Sequence, residues 1–256
     1  MEKKKYPRLV LYILSALCIS QGFAGSVAKV KRIEGKVSIL KKGAANWRDA
    51  RVNMPVNVGD EIYSREESFA ELVYTTGAVI RLDEKTKVTI DEVTAKGTKS
   101  STPIGNIWAN MRKLTMSKKE FELSSPTATA AIRGTVFHMN TKEDSSTDIS
   151  VYEGKVAVGP TKGKKKPAQP KGRHEIQGPT EIPGPYEVTL DQWRMIVAGQ
   201  MISVNKEGKY SEKKFDAEKA AQDDFVKKNQ ELDRSFEKDL EERLENIEKN
   251  KKDEKE

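Results

Sequence analysis

Few residues in this chain have the types and spacing that chemistry requires. The stretch GPTKGKKK, residues 159–166, is the nearest approach to a phosphate-cradling loop. Its glycines, Gly159 and Gly163, stand one residue too close together, and Pro160 removes a backbone donor that such a loop needs. HEIQG, residues 174–178, begins like a zinc-protease helix, yet Gly178 stands where the second histidine belongs. The chain has 2 histidines, His138 and His174, so an imidazole-based metal site lacks ligands. No Gly-x-Ser-x-Gly elbow occurs, and His138 reads as a strand-face residue rather than a general base. The acidic pairs Asp83-Glu84 and Asp91-Glu92 fall at strand ends, where solvated turn residues are the default. The expectation is a chain that is not an enzyme, with no catalytic residue, no metal and no cofactor.

The elements around those residues begin with a leader. Lys3, Lys4, Lys5 and Arg8 precede an apolar run, Leu9 to Ile19, that is short for a bilayer span. Gly22 and Ala24 supply small residues for a signal peptidase, so residues 1–24 read as a secretory signal cleaved after Ala24. Lipid attachment at Cys18 and an uncleaved anchor are the rival readings, the first weakened by Leu17 where a lipobox wants a small residue. Cys18 is the only cysteine, so the mature chain forms no disulfide and presents no thiol. Export without disulfides points to the periplasm or another compartment of a bacterial envelope.

The formal net charge of +7 is local rather than general. The leader and the stretch TKGKKKPAQPKGR, residues 161–173, account for more than all of it, and the remainder is slightly acidic. No aromatic residues interleave with these lysines to stack bases, so nucleic acid is not an expected partner. Residues 161–187 read as a basic, Pro/Gly-rich linker, and 161–173 is a candidate contact for acidic polymer or phospholipid headgroups.

Between residues 25 and 160 the pattern is strand after strand. In SFAELVYTTGAVIRLDEKTKVTI, residues 68–90, apolar positions alternate around Thr76-Gly77, and a third strand follows an acidic turn. Residues 127–158 repeat that grammar around Arg133-Gly134 and Glu153-Gly154. IEGKVSIL, residues 33–40, and YEGKVAVG, residues 152–159, are near copies, each reading as a β-hairpin turning on a glycine, Gly35 or Gly154, at positive φ. Trp47 reads as a partly buried lid on the core. Gly59-Asp60 reads as a turn in which Asp60 bonds nearby backbone rather than a metal. Short strands with no long helix among them imply an all-β unit, a sandwich or a short solenoid.

These residues resemble a FecR domain. The matching marks are Gly59-Asp60, Gly77 before an alternating strand, the Pro126 to Ala131 stretch leading into Arg133-Gly134-Thr135 and Phe137, and the closing Glu153-Gly154. The resemblance covers roughly residues 27–158 and implies a solenoid-like or sandwich-like all-β domain of short antiparallel strands that senses or binds in the periplasm. Its best-known members relay receptor occupancy to a sigma factor through a cytoplasmic region ahead of a membrane helix. Here eight residues precede the apolar run, so direct sigma-factor regulation is not expected. What remains is a binding or scaffold component that meets an envelope protein partner, with a signalling role or a cell-wall polysaccharide-binding role as alternatives.

The C-terminal third reads as helical. Thr189 to Ala198 suggests a short amphipathic helix ended by Gly199, with a last strand over Gln200 to Val204, so that residues 188–205 join helix to closing strand. From Ser211 to residue 256 the composition turns to Lys, Glu, Asp and Asn, with Phe225, Leu232, Phe236, Leu240, Leu244 and Ile247 on one helical stripe. That stripe is the candidate surface for self-association or partner binding, with its end, EKNKKDEKE, expected to be disordered. The β-domain is expected to close its own core without it.

Overall fold

The structure is a computed structural model that describes residues 26–112, 120–161, 193–220, 222–235 and 238. The expected leader, most of the expected basic linker, and Phe236, Leu240, Leu244 and Ile247 of the expected tail stripe lie outside the described residues. More than half of the described residues are strand, and their 17 strands form one continuous, mixed hydrogen-bonded sheet. That sheet is folded over on itself into two layers.

Layer A runs, in spatial order, β4 (Pro55–Val56), β1 (Ala28–Glu34), β6 (Phe69–Tyr74), β7 (Val79–Leu82), β9 (Gly97–Asn110), β12 (Val136–Thr141), β13 (Thr147–Glu153), β16 (Gln200–Val204) and β17 (Tyr210–Lys214). Layer B runs β3 (Arg48–Asp49), β2 (Val37–Leu40), β5 (Glu61–Ser64), β8 (Thr86–Val93), β9 again, β10 (Glu120–Ser124), β11 (Ala128–Ile132), β14 (Lys155–Pro160) and β15 (Arg194–Val197). Among the described residues only the β9–β10 pairing is parallel. Strand β9 serves both layers because it bends at Gly105, φ +108°, so that its first part pairs with β8 and β10 and its last part with β7 and β12.

Period-two alternation sends one side chain in two between the layers. From layer A come Val30, Leu72, Tyr74, Ile80, Leu82, Ile107, Phe137, Met139, Ile149 and Ile202; from layer B come Ile39, Ile62, Val88, Ile90, Phe121, Leu123, Ile132, Val156, Val158 and Ile196, all in one buried cluster. Tyr74 and Phe121 meet edge to face across it at 5.1 Å. The Tyr74 hydroxyl reaches over to Ser100 Oγ at 3.1 Å, and burial holds its pKa well above the usual phenol range.

Three expectations are corrected here. The two Glu-Gly turns are not hairpins. Strand β1 pairs with β4 and β6 while β2 pairs with β3 and β5, and β13 pairs with β12 and β16 while β14 pairs with β11 and β15. Gly35 (φ +69°) and Gly154 (φ +75°) are corners at which the chain passes from layer A to layer B. Alternation around a left-handed glycine is common to hairpins and corners, and the choice of pairing partner is long-range. Thr75-Thr76-Gly77 does turn a hairpin, between the paired strands β6 and β7.

The expected helix from Thr189 to Ala198 is also corrected: within its described part, residues 193–198, Arg194–Val197 is strand β15, and the chain turns at Gly199 (φ +80°) into the expected strand β16. Ser211 does not open a helical tail either, since Tyr210–Lys214 is strand β17. Helix follows as α1 (Ala217–Ala220) and a second segment, α2, over residues 224–235. Asp216 Oδ1 accepts from the N–H groups of Glu218 and Lys219, and Asp223 Oδ1 accepts from that of Val226, so an aspartate caps each start. Among the described residues no helix is long and apolar enough to cross a membrane.

Candidate functional site

Layer A has an outer face as well as a core face, and alternation lines its middle with one row in register: Glu71 on β6, Arg81 on β7, Trp108 on β9, His138 on β12 and Ser150 on β13. A solvated sheet face would leave Arg81 exposed, but its side chain is 3% accessible because α2 lies across the row. Arg81 Nε donates to Glu71 Oε2 at 2.6 Å, and Nη1 to Asp233 Oδ1 of the helix at 2.5 Å. The second oxygen of Asp233 accepts the indole N–H of Trp108 at 2.9 Å. One carboxylate thereby takes a guanidinium and an indole from adjacent strands, while Glu71 takes the rest of the guanidinium charge. A buried ion pair so surrounded fixes geometry more than it adds stability.

Around this polar centre lies a second apolar cluster: Phe69, Trp108 and Val136 from the sheet, Phe225 and Val226 from the helix, with Tyr152 and Leu232 at its margin. Phe225 sits edge to face with Phe69 at 6.5 Å and 5.7 Å from the ring of His138. Lys228 closes one side, its ammonium 3.9 Å from the Phe69 ring centre and 2.6 Å from Glu34 Oε2. His138 Nε2 is sealed and has no hydrogen-bond partner, and burial pushes the imidazole pKa down to about 4 against the pull of Asp223 and Asp148. A neutral imidazole under a phenyl ring is a packing group.

Two clefts flank the helix. One, of about 350 Å³, is bounded by Trp108, Tyr152, Arg112, Glu153, Gln230 and Arg234, with Arg112 Nε donating to Glu153 Oε2 at 2.6 Å. The other, of about 230 Å³, is bounded by Glu34, Glu67, Asp83, Glu84, Asp224 and Lys228. Burial raises the pKa of Asp83, helped by the neighbouring charge of Glu84. Among the described residues no group of three or more His, Cys, Asp or Glu side chains is arranged to hold a metal ion.

The residues singled out in the sequence fall into separate places. Gly134 (φ +66°), Thr135 and Gly154 meet at one corner, where Thr135 Oγ1 donates to Lys155 O at 2.8 Å and a Cβ on Gly154 would lie 2.8 Å from Gly134 O. Arg133 beside them is exposed, and Phe137 belongs to the core between the layers. Asp60, after Gly59 (φ +86°), is buried and accepts from Asn57 N–H at 2.8 Å, Lys42 N–H at 3.0 Å and the Lys41 ammonium at 2.7 Å, which matches its reading as a backbone-bonding turn residue. Trp47 is no lid on the core: it is 36% exposed on the outer side of layer B, 6.2 Å from the Tyr63 ring. Of the helical stripe, Phe225 and Leu232 face layer A.

Sequence reasoning missed Glu71, Arg81, Trp108 and Asp233. A signal was present: Arg81 interrupts the apolar run of β7, and Asn229 and Asp233 continue the face of Phe225 and Val226 at helical spacing. A charge on an apolar stripe asks for a buried partner.

The family described as FecR protein matches residues 60–157 of the chain. No curated protein matches. Two crystal structures of a candidate anti-sigma factor from Parabacteroides distasonis ATCC 8503, at 1.65 and 2.50 Å resolution, are similar to the chain at 19% identity and a TM-score of 0.45. The likeness covers 62% of this chain and 61% of each of theirs.

Proposed function

We propose that this protein is an exported, non-catalytic binding component of the bacterial envelope, in which the FecR domain recognises a protein partner in a role related to signalling. The observation that carries this reading is the FecR match over residues 60–157, which spans β5 to β13 and so the middle of both layers. The basic, apolar leader at residues 1–24 and a mature chain without cysteine support a periplasmic or otherwise exported location. A broad two-layer sheet supports recognition of a folded surface, because its outward rows are fixed by the core rows between them.

The test is cross-linking in intact envelopes with photoreactive residues placed at exposed positions of layers A and B in the full chain. The expected result is a discrete protein adduct at a clustered set of positions. Adducts with cell-wall material alone, lost on deleting residues 161–173, would replace this reading with polysaccharide binding.

A further inference from the structure

Layer B ends on an unguarded strand. Among the described residues, β15 pairs with β14 on one side and with no strand on the other. The Ala198 N–H points back to Gly154 O at 3.1 Å, whereas the Val197 N–H turns the other way, to its own chain's Gln200 Oε1 at 3.1 Å. Strand backbone groups alternate in direction, so Met195 and Val197 present theirs outward along the open edge. Their side chains are 57% and 44% exposed. The other ends of the sheet are protected: β17 carries Glu212, Lys213 and Lys214, and β3 and β4 are two residues each. Proteins usually blunt sheet edges with charge, and β15 carries none over Met195 to Val197.

We infer that this edge is a self-recognition site, at which two copies of the chain pair β15 against β15, antiparallel, about a twofold axis through Ile196. The register follows from the residues. Centred on Ile196, Met195 of each copy lies opposite Val197 of the other, so both outward backbone pairs are made and each exposed apolar side chain covers its counterpart. Arg194 then faces Ala198, which sets the two Arg194 Cα positions about 13 Å apart along the strands and leaves no like charges directly opposed. The Gln200 amide, which now accepts from Val197 N–H, gives way to the second copy's carbonyl. A four-residue edge buries less than the roughly 1,200 Å² of a standard stable interface, so the dimer forms and dissociates with concentration. Layer B becomes continuous across the pair.

Sedimentation of the full mature chain from micromolar to millimolar concentration tests this. The native chain should move from monomer toward dimer. Met195→Pro, at a position whose N–H is not used by β14, and Val197→Lys, which places a charge on the edge, should each raise the dissociation constant by about tenfold or more. Thermal melting shows whether each variant keeps its fold, and Val197→Lys carries the test if the proline disturbs β15. A native chain that stays monomeric throughout overturns the inference. So does a dimer of equal strength in both variants, which would assign association to another surface such as the tail.

Discussion

Asp233 is the residue on which the outer face of layer A turns. Replacing it with Asn keeps an acceptor for the Trp108 indole but leaves Glu71 as the one carboxylate on Arg81, beside the Asn229 carbonyl at 3.4 Å, in a site where Arg81 is 3% accessible. Breaking one side of a buried pair costs about 3–5 kcal/mol. Asp233→Asn should therefore lower the melting temperature and speed amide exchange over residues 224–235. If Asp233→Asn exchanges like the native chain, the pair does not hold the helix.

His138 makes a separate, pH-dependent contribution. Its folded value of about 4 lies below the ordinary 6.5, so between the two only the unfolded chain takes up the proton. The stability this site provides is complete above pH 6.5 and declines as the pH falls toward 4, by at most about 3 kcal/mol. Urea melts from pH 7 to 4.5 should show that decline in the native chain and a shallower one in His138→Leu.

At the scale of elements, the corners and the helix behave differently from what local pattern suggests. Alternation made β1, β2, β6, β7, β11 to β14 and β16 legible, because burial on one face writes itself into every second residue. It could not tell a corner from a hairpin, since both need a glycine at positive φ and differ only in which distant strand lies alongside. The corner reading still gives a mutational test. A Cβ at Gly35 would lie 2.5 Å from Ser68 Oγ and 2.7 Å from Glu67 O, and one at Gly154 2.8 Å from Gly134 O. Gly35→Val and Gly154→Val should each cost roughly 1–3 kcal/mol in strain, read as a lower melting temperature. Strand β15 was read as helix because RMIV, four residues with no alternating neighbours, carries little period of its own.

The helix α2 was legible as an amphipathic stripe, but its destination was not, because the expectation that the β-domain closes without it counted only one face of layer A. Cutting the chain after Lys209 removes β17 and α2, uncovering Phe69, Trp108, Val136 and the edge of β16. Burial of Phe225 and Val226 at about 1.5–3 kcal/mol each suggests a fall in melting temperature of about 10 °C. Unchanged melting of the truncated form would mean that the helix rests on the sheet without holding it.

The molecule as a whole depends on β9. Its 14 residues are the one strand common to both layers, joining β7 and β8 on one side to β12 and β10 on the other. At the bend, a Cβ on Gly105 would lie 2.2 Å from Thr86 Oγ1 and 2.5 Å from Thr86 Cα. The two halves should therefore unfold in one cooperative transition by calorimetry, and Gly105→Val should abolish that transition rather than shift it. Two separate transitions in the native chain would show that β9 does not couple the halves. Length and composition could announce one sizeable domain, but not that a single bent strand would bind it together, since β9 carries long polar stretches, GTKSST among them, that alternation alone does not flag.

The ion pair between Arg81 and Asp233 also sets an order of events. The two residues are 152 positions apart, and a chain is made from its N-terminus. At synthesis rates of about 5–20 residues per second, Arg81 waits roughly 8–30 s for its partner to be made. Once the strands of layer A are made, their outer face, with Trp108 and Phe69, stays uncovered until residues 224–235 follow. The nascent sheet is thus a sticky intermediate by construction, and premature stops between residues 214 and 233 should yield products that depend on chaperones or are degraded, although their strands are nearly complete.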